Sequence, residues 1–144
     1  MRAQEFLNQL QHDDIVAAIR RAEQKTSGEL RVLISHKKLA DPVDAAKAEF
    51  VRLGMTKTRE QNAVLILVAP KSRNFAVVGD KGVHTRRGDA FWQQVTDEMT
   101  GHFRKAEFTQ AVLLGIRKAG DLLAQHFPRR PDDRNELPDE VTPG

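Results

Sequence analysis

The sequence predicts an α/β fold, a three-layer α/β/α sandwich in which a small mixed β-sheet has helices on both faces. The first observation is that residues 63–69 form an unbroken apolar run without alternation, which is typical of a strand covered on both faces. The second is a segment of helical periodicity between this run and an earlier β-rich segment, which favours a parallel pair. The third is a short polar link to a later β-rich segment, which favours an antiparallel pair.

The first two elements are predicted to be a helix and a strand. Asp13 or Asp14 is a suitable N-cap for the helix, and Gly28 has the residue type that follows a helix C-terminus. Residues 29–35 are rich in β-branched and other apolar side chains and form the predicted first strand. The apolar stripe of the helix consists of Ile15, Ala18, Ile19 and Ala22.

The middle of the chain is predicted to contain a helix and a β-hairpin. Pro42 suits the first turn of the second helix, and Gly54 ends it. A basic loop, 55–61, leads to the second strand at residues 63–69. The link 70–73 is short enough for a hairpin, so the third strand, at residues 74–79, is expected to run antiparallel to the second.

Two helices complete the predicted domain. The third helix is expected from about Gly88 to Arg104, and the fourth from about Glu107 to His126. Phe127-Pro128 stops the fourth helix, because the residue before proline disfavours the helical conformation. The predicted buried stripes are Phe91, Trp92, Val95, Met99 and Phe103 in the third helix, and Val112, Ile116, Ala119, Leu123 and Phe127 in the fourth.

The composition fits one globular domain that is stable without disulfide bonds. The chain has 144 residues, no cysteine and a net charge of +3. A chain of this size buries roughly 68–70% of its unfolded surface, which is enough for a stable core. We expect one domain over residues 1–128 and a disordered tail over residues 129–144, where prolines and acidic residues accumulate. The absence of cysteine excludes disulfide and thiolate chemistry.

The charge and the sequence patterns argue against several classes of partner and ligand. The body of the chain is only mildly basic, which is too weak to predict nucleic-acid binding. No apolar run approaches the roughly 18 residues of a membrane span, and the N-terminus has no signal-peptide pattern. We therefore expect no membrane span and a cytoplasmic location. The histidines have no zinc-binding spacing.

The predicted topology brings acidic residues to one edge of the sheet. Glu29 begins the first strand, Asn62 precedes the second, and Asp80 follows the third. With the first two strands parallel and the third antiparallel, these three positions meet at one edge. The loop after Asp80 leads to the third helix, where Asp89 lies in the first turn. Carboxylate and amide oxygens suit Ca²⁺ or Mg²⁺, so we expect a divalent-cation site formed by Glu29, Asp80 and Asp89, with Asn62 in support.

Two other interpretations of this edge remain open. Lys81, Arg86 and Arg87 precede a helix N-terminus, which is a natural site for an anion such as phosphate. Alternatively, the acidic residues serve only helix and strand ends, and the basic residues form a solvated loop. A phosphatase would use both features, a cation and a basic phosphate site.

The sequence resembles the TPM domain family over most of residues 15–128. The resemblance rests on TSGELRV at 26–32, on LGMTKTREQNAVLILVAP at 53–70, and on FAVVGDKGVH with GDAFW within 75–92. GIRKAGDLLAQHFP at 115–128 is similar to the small, stand-alone bacterial branch. One departure is Ala63, which stands where glycine after Asn is common in the family.

This resemblance implies an α/β/α sandwich and three functional expectations. Family members are associated with divalent-cation binding, with acid phosphatase activity and with accessory roles in membrane complexes. We expect a cation-binding domain with an accessory or regulatory role, which implies a protein partner that the sequence does not identify. The alternatives are a metal-assisted phosphatase acting on phosphomonoesters and a protein-interaction module without a metal. Many members carry a secretion signal and a membrane anchor, and neither pattern is visible in this sequence.

Overall fold

The computed structural model describes residues 12–58, 60–84, 89–129 and 141–143. Its elements in chain order are α1 (His12–Gln24), β1 (Glu29–Ile34), α2 (Pro42–Arg52), a 3-10 helix (Met55–Lys57), β2 (Ala63–Ala69), β3 (Asn74–Gly79), α3 (Lys81–His84), α4 (Asp89–Arg104), α5 (Phe108–His126) and β4 (Val141–Pro143). The α/β fold predicted from the sequence is confirmed.

The strands form one mixed sheet in the order β3-β2-β1-β4. β1 and β2 are parallel, and their register begins with Glu29 opposite Ala63. β2 and β3 are antiparallel, and Val64 lies opposite Gly79. Both orientations agree with the prediction, and the observed bounds of β2 and β3 are the predicted ones.

The two faces of the sheet carry different helices. On one face, α1 packs on β1, α4 packs on β3, and α5 lies between α1 and α4. On the other face, α2 covers β2 and β3, and Met55 of the 3-10 helix joins the same apolar cluster. β2 is buried along its whole length because it contributes alternate side chains to both clusters.

The sequence did not predict three short elements. One is the 3-10 helix within the expected loop 55–61. Another is α3, which replaces the first part of the loop expected after Asp80. The Asp80 side chain accepts a hydrogen bond from the Lys81 N–H, and its carbonyl accepts one from the Val83 N–H. These local hydrogen bonds make the chain turn helical directly after β3.

The third unpredicted element is β4, which extends the sheet beyond β1. Val141 lies opposite Val32 in a parallel register. Pairing of β4 with β1 uses backbone groups that would otherwise be exposed on an edge strand. The strand falls within residues 129–144, the segment predicted to be a disordered tail, of which residues 130–140 and 144 lie outside the described ranges. Within the part of the chain that the structure describes, no helix is long and apolar enough to cross a bilayer.

Candidate metal site at one edge of the sheet

Glu29 and Asp80 lie in one row across the sheet, on either side of Ala63. Glu29 is opposite Ala63 in the parallel pair. The Asp80 N–H donates to the Ala63 carbonyl at 3.0 Å, which continues the antiparallel register one residue beyond β3. Two strand spacings separate the acidic residues, so their Cα atoms are about 10 Å apart. The small side chain of Ala63 belongs to the cluster facing α2.

The two carboxylate oxygens of Asp80 differ in their hydrogen bonding. Its Oδ1 accepts the Lys81 N–H at 2.7 Å and so caps α3. Its Oδ2 is buried and has no hydrogen-bond partner among the described residues. A carboxylate oxygen that has left water normally finds a donor or a cation, since burial without one costs free energy. The Oδ2 atom is therefore available as a ligand for a cation.

Glu29 is a buried acidic residue at the start of β1. Only 1% of its surface is exposed. Strand alternation places it on the same face as Leu33, which belongs to the cluster facing α2. Arg31 lies between them on that face and is also buried, so a positive charge is present on the same side of the strand. Buried charges of this kind are retained when they are paired or bind a metal.

Asn62 forms hydrogen bonds that connect two loops at this edge of the sheet. Its Nδ2 donates to Ser27 Oγ at 3.2 Å, and Ser27 Oγ donates to Glu60 Oε2 at 3.3 Å. Its own N–H donates to Thr58 Oγ1 at 3.3 Å. These hydrogen bonds connect the turn before β1 to the loop before β2. Asn62 thus connects the turn before Glu29 to the loop before Ala63 through hydrogen bonds, and its predicted support of a cation stays a prediction.

Two glycines allow the loops at this edge to lie close together. A Cβ on Gly28 would lie 3.0 Å from the Asn62 carbonyl oxygen and 2.9 Å from a methyl group of Leu123. A Cβ on Gly82 would lie 2.5 Å from the Glu60 carbonyl oxygen. The Gly82 N–H also donates to the Gln61 carbonyl at 2.9 Å. The turn after β3 is therefore fixed directly against the loop before β2.

The remaining predicted site residues are only partly described. Asp89 is the first residue of α4, and its side chain lies outside the description. Trp92, in the next turn of α4, reaches Gly79, because its Cζ2 would lie 3.6 Å from a Cβ there. Lys81 is exposed at the start of α3, whereas Arg86 and Arg87 lie outside the described residues. Within the described ranges, no group of three His, Asp or Glu side chains could hold a metal ion.

The arrangement brings two acidic residues to one edge of the sheet. Glu29 and Asp80 share a face and a row, and a hard divalent cation completes its shell with carbonyls and water. Sequence reasoning placed both acidic residues at this edge but did not identify Ala63 as the residue between them. The strand register determines that position.

The chain matches a family model and nine chains of solved structures, two of which are described here. A model described as the TPM domain matches residues 1–122. The BA42 protein from the psychrophilic bacterium Bizionia argentinensis, solved by NMR, is 40% identical, with a TM-score of 0.82 and 92% of each chain covered. The N-terminal domain of a protein from P. gingivalis is 15% identical, with a TM-score of 0.62 and coverage of 79% of this chain and 76% of that one. No curated protein shows significant similarity to the chain.

Proposed function

Because the chain belongs to the TPM domain family, we propose that it is a divalent-cation-binding domain with an accessory or regulatory role. The cation, Ca²⁺ or Mg²⁺, binds at the edge where Glu29 and Asp80 flank Ala63. Its ligands are carboxylate oxygens of these two residues, with Asp89 as a third acidic ligand from the start of α4. Backbone carbonyls and water supply the remaining oxygens.

The buried Oδ2 of Asp80 is the observation that carries this proposal. The other oxygen of the same carboxylate already caps α3, so Asp80 is held in one orientation. A divalent cation would give Oδ2 the partner that it lacks among the described residues. The fixed turn between Asp80 and Gly82 supports the proposal further, because a ligand held by the backbone loses little freedom on binding.

Titration of the ¹⁵N-labelled protein with CaCl₂ and with MgCl₂ tests the proposal. We expect saturable chemical-shift changes concentrated at residues 29, 62–63, 79–82 and 89. Asp80→Asn is expected to weaken cation binding at least about tenfold, because a charged ligand becomes neutral. Asparagine retains a side-chain carbonyl oxygen for the Lys81 N–H, so the cap of α3 remains and the variant is expected to fold.

Asp44→Asn is the matched control. Asp44 is exposed in the first turn of α2, which begins beyond the opposite end of β1. The substitution removes the same charge, and cation affinity should remain within about twofold of wild type, since exposed charges beyond a Debye length are screened. Shifts that are absent from the edge, or an equal loss of affinity in both variants, would rule out the site.

The phosphatase alternative is tested with the same variants. A metal-assisted phosphatase would place a phosphomonoester beside the cation, with Lys81, Arg86 and Arg87 as cationic contacts for the phosphoryl group. Hydrolysis of p-nitrophenyl phosphate that requires Ca²⁺ or Mg²⁺, and that falls in Asp80→Asn but not in Asp44→Asn, would favour the enzyme. Cation binding without turnover favours the accessory role, and the absence of both favours an interaction module without a metal.

A further inference from the structure

A half-open groove of about 480 Å³ lies between α1 and α5, with one wall contributed by His102 at the end of α4. This volume is within the range of about 300–1,000 Å³ for small-molecule sites. The groove is on the face of the sheet covered by α1, α4 and α5, whereas the row of Glu29, Ala63 and Asp80 faces α2. It is therefore separate from the cation site proposed above.

The floor of the groove is apolar. Ala18 and Ala22 of α1 lie beside Leu113 and Leu114 of α5, and all four are half-buried at the edge of the main core. Gly120 allows the helices to approach closely, because a Cβ there would lie 2.8 Å from that of Ala22. The small residues on α1 leave the side chains of α5 accessible, so an apolar molecule could lie along the groove.

Cationic side chains concentrate at one end of the groove. Arg21 and Lys25 come from α1 and Arg117 comes from α5, with Asp121 as an acidic residue on the same lining. The contact between Ala22 and Gly120 places this end of α1 beside this part of α5. Among the described residues, none of the three cationic side chains has an ion pair or a side-chain hydrogen bond. Three cations and one acidic residue leave the described lining with a net charge of +2, with His102 taken as neutral.

The other end of the groove is lined by Leu113 and Leu114, together with the polar side chains of Gln110 and His102. Because Ala22 meets Gly120 and Thr26 binds the carbonyl of Leu123, α1 and α5 run in the same direction. Ala18 therefore lies toward Leu113 and Leu114, away from Lys25. The lining of α1 from Ala18 to Lys25 spans about 10 Å at the helical rise per residue. Ala22 opposite Gly120 puts Arg117 near the level of Ile19, so the cationic part of the groove begins beside Ala18 and continues to Lys25. An apolar part and a cationic part that adjoin along the groove match a molecule with an apolar tail and an anionic head.

We propose that the groove between α1 and α5 binds a single-chain carboxylate of the fatty-acid type. The carboxylate lies among Arg21, Lys25 and Arg117, and the alkyl chain lies on Ala18, Ala22 and the two leucines. Arginine suits this head group because its guanidinium can donate two parallel hydrogen bonds to a carboxylate. Burial of the alkyl chain on the half-buried floor supplies the non-directional part of the affinity.

Binding of decanoate to the full chain tests the proposal. The probe is added below its critical micelle concentration, and ¹⁵N spectra are recorded with decanoate, decanol and acetate. We expect saturable shifts at residues 18–25 and 110–121 with decanoate, weaker binding of decanol and no binding of acetate. Decanol binding as tightly as decanoate would overturn the role of the cationic end. Acetate binding as tightly would overturn the role of the apolar floor.

Variants of the groove distinguish its two ends. Arg21→Gln and Arg117→Gln are each expected to weaken decanoate binding about threefold, the magnitude of a partly exposed ion pair. Arg20→Gln is the matched control, since Arg20 is exposed on α1 but does not line the groove. Ala18→Phe fills the apolar part and should abolish measurable binding in a protein whose spectrum is otherwise native.

A competing occupant is the acidic segment 130–140 of the same chain. It begins after Arg129, whose N–H donates to the carbonyl of Lys25, a groove residue, at 3.3 Å. If this segment fills the groove, decanoate fails to bind the full chain, and that result overturns the proposal. Binding that survives Ala18→Phe, or that is weakened equally by Arg20→Gln and Arg21→Gln, overturns it as well.

Discussion

Gly82 allows the turn after β3 to lie directly against the loop before β2. The two nearest atoms to a Cβ at this position are the carbonyl oxygens of Glu60 and Gln61, at 2.5 and 2.7 Å. Backbone atoms of this kind cannot move aside as the end of a side chain can. The position of Asp80 therefore depends on the absence of a side chain two residues later, and Gly82 is a structural requirement of the proposed cation site.

Gly82→Ala is expected to destabilise the protein by about 1–3 kcal/mol, because the added methyl group overlaps backbone atoms. Gly101→Ala is the matched control, since nothing lies within 4 Å of a Cβ there and the residue is inside α4. It should stabilise the protein by about 0.5–1 kcal/mol through helix propensity. Urea unfolding of both variants measures the difference. Equal effects would show that Gly82 does not hold the turn.

At the scale of the elements, Thr26 connects α1, β1 and α5. Its hydroxyl donates toward the carbonyls of Leu123, at 3.0 Å, and Phe127, and it accepts the Gly28 N–H at 3.0 Å. One hydroxyl proton serves one carbonyl at a time, so the two acceptors share it. The side chain is 1% exposed. The end of α5 is thereby joined to the turn that leads into β1.

Thr26→Val keeps the shape of the side chain and removes its hydrogen bonds. We expect a loss of about 1–3 kcal/mol in the free energy of unfolding, because buried backbone groups lose their partner. Thr96→Val is the control, because among the described residues the Thr96 hydroxyl bonds only to Gln93, in the same helix α4. Its effect should stay within about 0.5 kcal/mol. Thermal and urea unfolding test both variants, and a Thr26→Val protein as stable as wild type would contradict the role of the connection.

At the scale of the whole molecule, β2 is the strand that contributes side chains to the apolar clusters on both faces of the sheet. Ile66 belongs to the cluster facing α1, α4 and α5, and Leu65 belongs to the cluster facing α2. Both side chains have 0% exposure. Consecutive residues of β2 therefore stabilise the packing on opposite faces of the sheet. Both faces are covered by helices at this strand.

Leu65→Ala and Ile66→Ala should each destabilise the domain by about 2–5 kcal/mol, since each leaves a cavity in a close-packed cluster. Val51→Ala on α2 is the control, because Val51 is 65% exposed, and its effect should be within about 0.5 kcal/mol. Denaturant unfolding compares the three. A small effect of Leu65→Ala alone would contradict a second buried layer beneath α2.

Local patterns in the sequence were sufficient for the main elements. The apolar run of β2 and the hairpin link gave the bounds of β2 and β3, and the stripes of α4 and α5 are buried almost throughout, with Phe91 half-buried. These signals persist in the structure because residues close in the chain determine them. α3 was missed because Asp80 capping acts over a single turn and has no apolar periodicity. β4 was missed because its pairing partner is about a hundred residues away in the chain.

The sequence by itself determined the α/β/α sandwich, the strand directions and the edge of the sheet at which Glu29 and Asp80 lie. Only the tertiary structure decided that Ala63 lies between them, that Asp80 Oδ2 is buried without a described partner, and that three cationic side chains line a groove beside α1. The physical reason is the range of the interactions. Hydrophobic periodicity indicates which side of a helix or strand is buried. Strand register and helix–helix contacts are instead determined by hydrogen bonds and packing between residues distant in the chain.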